Sequence, residues 1–216
     1  MTNKQRGDTM ELKYGDHATR EDGLCLMEAV ALLGGEGHTD KPECACPVLS
    51  AFGRKLNDGM GKGAEGDALR AKYLADLAPR LVGTQATPEV ELKRAFIFTD
   101  GAVRVLAPIA LDATGLCDAA ATLRALSPVT SQATAQAAEA AEAAANAAEA
   151  AAAWAAEAAA EAAAEAAAAA AGGVDAVWAA EAAAEAAAAA ANAAANADVW
   201  VEARALFIRA IEVSDE

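Results

Sequence analysis

The sequence predicts an all-α protein with two parts: a small helical N-terminal domain and a long antiparallel alanine-rich helical hairpin. Apolar residues recur at helical spacing through the first half of the chain. Alanine, the residue with the highest helix propensity, dominates the second half. Strand patterns are weak, and the only candidates are the stretches AFIF and AVRVLAPIAL. We therefore expect helices throughout.

The N-terminal part divides into residues 1–20, which we expect to be flexible, and a helical domain over 21–126. Its first helix is predicted from about Asp22 and ends at a glycine pair, and its second begins with a proline in the first turn, where proline is favoured. Three further helices follow in the same way. In order, the predicted starts are Asp22, Pro47, Asp67, Thr87 and Leu116, and the Thr87 helix has a candidate break at Asp100-Gly101.

The alanine-rich part covers residues 130–216. Residues 132–171 contain 29 alanines in 40 positions and need little tertiary support to be helical. Gly172 and Gly173 interrupt the pattern, and 174–213 is a second stretch of 40 residues. The equal lengths predict two antiparallel helices that turn at the glycines.

Polar residues in both predicted helices fall on one side of a helical wheel, which leaves a smooth face of methyl groups. Such faces can approach each other closely, either within the hairpin or between two copies of the chain. The hypothesis is a stiff rod with an acidic outer surface. Its candidate partner-binding glutamates are Glu157, Glu161, Glu165, Glu181 and Glu185.

The charge distribution argues against direct nucleic-acid binding. The net charge is −15, and no lysine or arginine occurs between Arg124 and Arg204 to contact a phosphate backbone. The recurring glutamates make the alanine segments poor membrane spans. The first residues lack the apolar region of a signal peptide, so we expect a cytoplasmic protein.

Trp154 and Trp178 open two copies of the eleven-residue stretch WAAEAAAEAAA. Both lie near the predicted polar stripe. One interpretation is that each indole covers neighbouring methyl groups at the flank of the rod. The other is that both are contact points for a protein partner, because exposed tryptophan is typical of binding hot spots.

Cysteines and histidines concentrate between residues 25 and 46, and three interpretations remain open. Cys25, His38, Cys44 and Cys46 have ligand types that zinc prefers, although the spacing matches no common zinc motif. Cys25 is also a candidate nucleophile, with His17 or His38 as base and Asp40 as orienting group. The third interpretation is structural, with buried thiols and a shaped loop and no cofactor.

The same region carries a resemblance that covers roughly residues 21–125. The matching residues are Met27, Glu28, Ala29, Gly35, Glu36, Asp40, Pro42, Cys44, Pro47, Asn57 and Asp58, followed by LADLAPRLVGT. On these residues the chain resembles a family of uncharacterised actinobacterial and tailed-phage proteins that often carry an alanine-rich C-terminal array. The resemblance implies a bacterial host cell and brings no known activity or catalytic residue. Many such arrays mix arginine with aspartate, whereas this one is acidic.

We therefore expect a non-enzymatic structural or protein-interaction protein, derived from a phage or mobile element, that presents an acidic helical rod marked by tryptophan to a basic partner. One alternative is an inhibitor that mimics nucleic acid with its line of carboxylates. A second alternative is a small cysteine- or zinc-dependent enzyme, or a metal-stabilised domain, centred on residues 25–46.

Overall fold

The computed structural model describes residues 10–136, 138, 161–163, 165–170, 176–194 and 198–214, and within these ranges the protein is helical and has no β-strand. This confirms the all-α prediction. The helices are α1 (Leu26–Gly34), α2 (Pro47–Gly59), α3 (Gly63–Tyr73), α4 (Ala78–Leu81), α5 (Pro88–Gly101), α6 (Ala107–Ala113), α7 (Cys117–Arg124), α8 (Ala176–Ala194) and α9 (Asp198–Ile211). Residues 132–136, 161–163 and 165–170 are also helical.

Helix α1 begins four residues later than predicted because its N-terminus is set by a capping box. The Cys25 side chain accepts a hydrogen bond from the backbone of Glu28, and the Glu28 side chain accepts one from the backbone of Cys25. Gly35 ends the helix in the left-handed conformation, with φ of 78°. Capping residues thus fix both ends of α1.

Two other boundaries follow directly from local sequence. Helix α2 begins at Pro47, as predicted, and has no proline further along to interrupt it. Helix α3 begins at Gly63, four residues before the predicted start at Asp67, so residues 63–66 belong to the helix. A 3₁₀ turn, Ala75–Leu77, then links α3 to α4.

At the candidate break, Asp100-Gly101, the α-helix changes to a π turn. Both segments predicted as possible strands are helical, so that prediction was wrong. Residues 95–98 lie in α5, and residues 102–111 form a π turn, Ala102–Leu106, followed by α6. Pro108 explains the wider turn, because a proline ring collides with the carbonyl group four residues earlier in a regular α-helix. Apolar residues occur on all sides here because the segment is buried.

Helix α8 lies inside the fold, not on a separate rod. It packs against α2, α5 and α6. One core cluster contains both the alanines of α8 and the large apolar residues of the N-terminal helices. A Cβ atom added to Gly59 of α2 would lie 2.8 Å from the Cβ of Ala188, so α2 and α8 approach closely there. The alanine face of α8 is therefore covered by the chain's own helices.

The hairpin itself remains a prediction. Its turn at Gly172-Gly173 lies outside the described residues. The predicted second helix, 174–213, corresponds to α8 and α9, and residues 195–197 between them are also outside the described part. The division at 126–130 likewise stays a prediction, although the described helices on both sides of it share one core.

Helix α9 brings the bulky residues near its C-terminus against α5 and α2. The Phe207 ring meets Phe52 and Phe98 edge-on, with centroid distances of 5.2 and 6.2 Å. Phe52 and Phe98 stack on each other at 4.0 Å. Leu206 packs directly on Gly101, where a larger residue would collide with its side chain.

A buried arginine fastens the end of α9 to α5. The Arg94 side chain is 4% exposed and donates hydrogen bonds to three carbonyl groups. Nε donates to Ala210 at 3.1 Å, Nη1 to Thr84 at 2.7 Å and Nη2 to Val213 at 2.9 Å. These bonds satisfy carbonyl groups that a helix C-terminus leaves without partners inside the helix.

Candidate functional site

The most concentrated polar group in the interior surrounds Glu28, in the first turn of α1. The Glu28 residue is 2% exposed. Its Oε1 accepts the backbone N–H of His17 at 2.7 Å, and Oε2 accepts the backbone N–H of Cys25 at 2.7 Å. His17 Nδ1 donates a third hydrogen bond to Oε2 at 2.8 Å. A single carboxylate thus joins the N-terminal segment to α1.

His38 approaches the same carboxylate from the other side. Its Nε2 lies 2.8 Å from the backbone oxygen of His17 and 3.4 Å from Glu28 Oε1. Because a carbonyl oxygen only accepts, Nε2 carries the proton in this arrangement. The opposite ring nitrogen, His38 Nδ1, is buried and has no hydrogen-bond partner among the described residues.

Burial and hydrogen bonding act in opposite directions on the pKa of Glu28. Burial alone would raise it, but the hydrogen bonds from Cys25 and His17 outweigh burial and lower the pKa below its ordinary value of 4.5. Glu28 is therefore ionised at neutral pH and holds His17 in a fixed orientation. A carboxylate that orients an imidazole supplies one part of a general acid–base site. Such a site also needs a group that the imidazole can activate by proton transfer.

Cys25 does not supply an activated thiolate. Its side chain is 3% exposed, and burial raises the pKa of the thiol to about 12. The Sγ atom accepts the backbone N–H of Glu28 at 3.5 Å. The small cavity beside it, about 80 Å³ in volume, is also lined by Asp40 and Arg54. These observations support a structural role for Cys25 as the cap of α1.

The four candidate zinc ligands are not gathered into a site. Within the described ranges, no three histidine, cysteine, aspartate or glutamate side chains are grouped so that they could hold a metal ion. Cys25 caps α1, His38 faces Glu28, and Cys46 is fully buried where α2 begins. Cys44 lies in the preceding loop beside Glu36, and burial raises the pKa of its thiol.

Three other polar residues of the motif named in the sequence analysis, Glu36, Asn57 and Asp58, form hydrogen bonds with backbone groups. Glu36 accepts the backbone N–H groups of Glu43 at 2.9 Å and Cys44 at 2.6 Å. Asp58 accepts the backbone N–H of Gly15 at 2.9 Å. Asn57 donates to the carbonyl oxygen of Lys13 at 2.9 Å and accepts the backbone N–H of Leu26 at 3.3 Å. These motif residues thus hold the fold together, as Glu28 does.

The second candidate surface is the exposed side of α8. Trp178 is 48% exposed, and the side chains of Glu181 and Glu185 are 33% and 48% exposed. These three residues fall within about 60° of the helix circumference. The structure therefore places the predicted residues of α8 on one face that is accessible to solvent.

Two cations of α2, not foreseen from the sequence, contact the glutamates of this face. Lys55 Nζ forms a hydrogen-bonded ion pair with Glu185 Oε1, and Arg54 Nη2 lies 3.8 Å from Glu181 Oε1. Arg54 also donates to the backbone oxygen of Asp40 at 3.2 Å, and its Nε lies 3.9 Å from Asp40 Oδ2, so the Asp40 carboxylate lies beside this arginine. For Glu181 and Glu185, the expected cationic partners come from the same chain.

Of the four other candidate partner-binding residues, two lie in the described part of the structure and two do not. Glu161 and Glu165 are exposed. Trp154 and Glu157 lie outside the described residues. The glutamates at 161 and 165 thus keep the solvent-facing position that the helical pattern predicted.

Comparison with known proteins gives no match. No family model, no curated protein and no solved structure matches the chain. Among the described helices, none has both the length and the apolar character needed to cross a membrane.

Proposed function

We propose that this protein is a non-enzymatic protein-interaction protein and that the exposed face of α8, formed by Trp178, Glu181 and Glu185, is its docking surface. The observation that carries the proposal is the exposure of Trp178. A large indole that is 48% exposed keeps apolar surface in water, which is unfavourable unless a partner covers it.

The charged neighbours of Trp178 favour specific docking over non-specific adhesion. Lys55 and Arg54 restrain the two glutamates, so less side-chain entropy is lost when a partner binds them. Both carboxylates remain partly exposed and retain acceptor positions. A partner with an apolar side chain for the indole and a basic side chain for the carboxylates fits this face. The tryptophan then occupies the centre of the contact and the charges its rim.

The buried polar groups support a binding function more than thiol chemistry. The Cys25 thiol has a raised pKa and caps a helix, and Glu28 is occupied by backbone hydrogen bonds.

The test uses four baits retained on the same resin: the wild-type protein, W178A, the double variant E181Q/E185Q, and V201A. Val201 of α9 is also 48% exposed and is a matched control for removal of exposed apolar surface. The baits are exposed to a lysate of the source organism at low and moderate salt.

The proposal expects a protein that wild type and V201A retain, that W178A loses, and that E181Q/E185Q retains less well. Binding should weaken as salt is raised, because screening acts on the rim charges. Retention of the same proteins by all four baits, or of none by the wild type, would contradict the proposal. Circular dichroism of each bait verifies that it is folded.

A further inference from the structure

A second surface feature lies on another part of the molecule, between α5, the residues around Val129 and the end of α9. It is a groove of about 380 Å³, which is within the size range of small-molecule sites. Its apolar lining includes Phe96, Ile97, Val129 and Val213. The groove is therefore able to cover a hydrocarbon group of a ligand.

The charged lining has an excess of cations. Asp100, the acidic residue that lines the groove, is occupied by Arg104, with contacts of 2.6 and 3.1 Å, and by the backbone N–H of Val129 at 2.9 Å. Asp100 and Arg104 thus neutralise each other. Lys93 and Arg209 also line the groove, and neither makes an ion pair with a described residue. Two cations without an ion-pair partner among the described residues thus lie beside apolar surface, although the net charge of the chain is −15.

Arg94 removes an obstacle to anion binding at this position. The segment that follows α9 reaches the groove at Val213, and exposed carbonyl groups at a helix end repel anions. Arg94 donates hydrogen bonds to the carbonyl oxygens of Ala210 and Val213, so its positive charge offsets that end of the helix. Among the described residues that line the groove, Lys93 and Arg209 are therefore the charged residues without an ion-pair partner.

We propose that this groove binds an anionic amphiphile, a molecule with a carboxylate head and a hydrocarbon tail. The tail lies against Phe96, Ile97 and Val129, and the carboxylate lies between the ammonium group of Lys93 and the guanidinium group of Arg209. An ion pair at the edge of an apolar groove is stronger than one in bulk water, because part of the surrounding water is displaced. The site is separate from the α8 face and does not depend on the function proposed for it.

The experiment measures binding of decanoate to the full chain by isothermal titration calorimetry and by protein NMR shifts, below the concentration at which decanoate forms micelles. Decyltrimethylammonium, with the same tail and a positive head, is the comparison ligand. The variants are K93Q, R209Q and the double variant, and R20Q is a control that removes an exposed cation elsewhere. Lys93 and Arg209 are exposed, so these substitutions leave the core intact.

The expected result is saturable binding of decanoate, with shifts at Phe96, Ile97 and Val129 and much weaker binding of decyltrimethylammonium. Each single variant should weaken decanoate binding about fivefold, as expected for loss of one partly exposed ion pair, and R20Q should not. Equal binding of the two ligands, unchanged binding in the double variant, or absence of decanoate binding would each overturn the proposal.

Discussion

Helices α1 and α8 are both largely buried, but different interactions hold them in place. The nine residues of α1 are fixed by specific polar contacts: a capping box at one end, a left-handed glycine at the other, and a buried carboxylate that binds two backbone N–H groups. The 19 residues of α8 are held by alanine methyl groups packed against α2, α5 and α6, with charges only on the outer face.

The difference shows two ways of placing a helix in a small core. Helix α1 depends on a few groups whose hydrogen bonds cannot be replaced by water, so loss of one group has a large effect. Helix α8 depends on close approach, so added volume has a larger effect than a lost charge. The following experiments test this distinction, and they run from the largest expected effect to the smallest.

The largest effect is expected in the reactivity of Cys25. A thiol pKa of about 12, compared with the ordinary 9.0, leaves about one thousandth of the usual thiolate at neutral pH. Native-state alkylation followed by mass spectrometry should therefore modify the exposed Cys117 long before the buried Cys25. Fast alkylation of Cys25 in the folded protein would contradict the structural role assigned to it.

Replacing Glu28 by Gln should destabilise the protein by about 2–3 kcal/mol at pH 7, because an amide cannot accept all the hydrogen bonds that the carboxylate accepts. The folded-state pKa of Glu28 is lowered, so its stabilising contribution is complete above about pH 4.5 and is lost as the pH falls through the folded-state value. The difference in the free energy of unfolding between wild type and E28Q should therefore become smaller in acid. Urea unfolding at a series of pH values measures this, with E21Q at an exposed position as control. If this difference did not change with pH, the negative charge of Glu28 would not be what stabilises the fold.

Replacing Gly59 by Ala should destabilise the protein by about 1–3 kcal/mol, although alanine is the better helix former. The added methyl group would lie 2.8 Å from the Cβ of Ala188, so the two helices must separate. The double variant G59A/A188G restores the space, and its loss should be smaller than the sum of the two single losses. Additive losses in this cycle would show that α2 and α8 do not meet closely.

The smallest effect is expected at the outer face of α8. Lys55 and Glu185 are 42% and 48% exposed, and exposed ion pairs contribute about 0.5 kcal/mol or less. K55Q should lower the free energy of unfolding by no more than this, and the difference should vanish at high salt. K41Q, at another exposed lysine, is the control. A loss above about 2 kcal/mol would mean that charge, and not shape, holds α8 in place.

Features that depend on local sequence were predictable. Pro47 marked the start of α2, Gly34-Gly35 marked the end of α1, and the helical period placed Glu181 and Glu185 together on the exposed side of α8. Each of these depends on residues a few positions apart.

Features that depend on distant residues were not predictable in the same way. The pattern of α8 indicated a smooth face but not which helices cover it, because alanine methyl groups fit many surfaces equally well. The link between His17 and Glu28 joins a loop to a helix, and the pairing of Lys55 with Glu185 joins residues 130 positions apart. The apolar stretch around Pro108 was also predicted as a possible strand. It is a buried π turn and helix whose apolar residues face every direction, so its sequence shows no helical periodicity.

The hydrogen bonds from Arg94 to Ala210 and Val213 have a consequence for how the protein folds while it is being synthesised. They connect residues 116 and 119 positions apart, and α8, which is synthesised after α2, α5 and α6, covers those three helices. During translation those helices therefore emerge with apolar faces that have no cover until residues 176–213 have left the ribosome. Until then these apolar faces of the nascent chain are open to aggregation or chaperone binding.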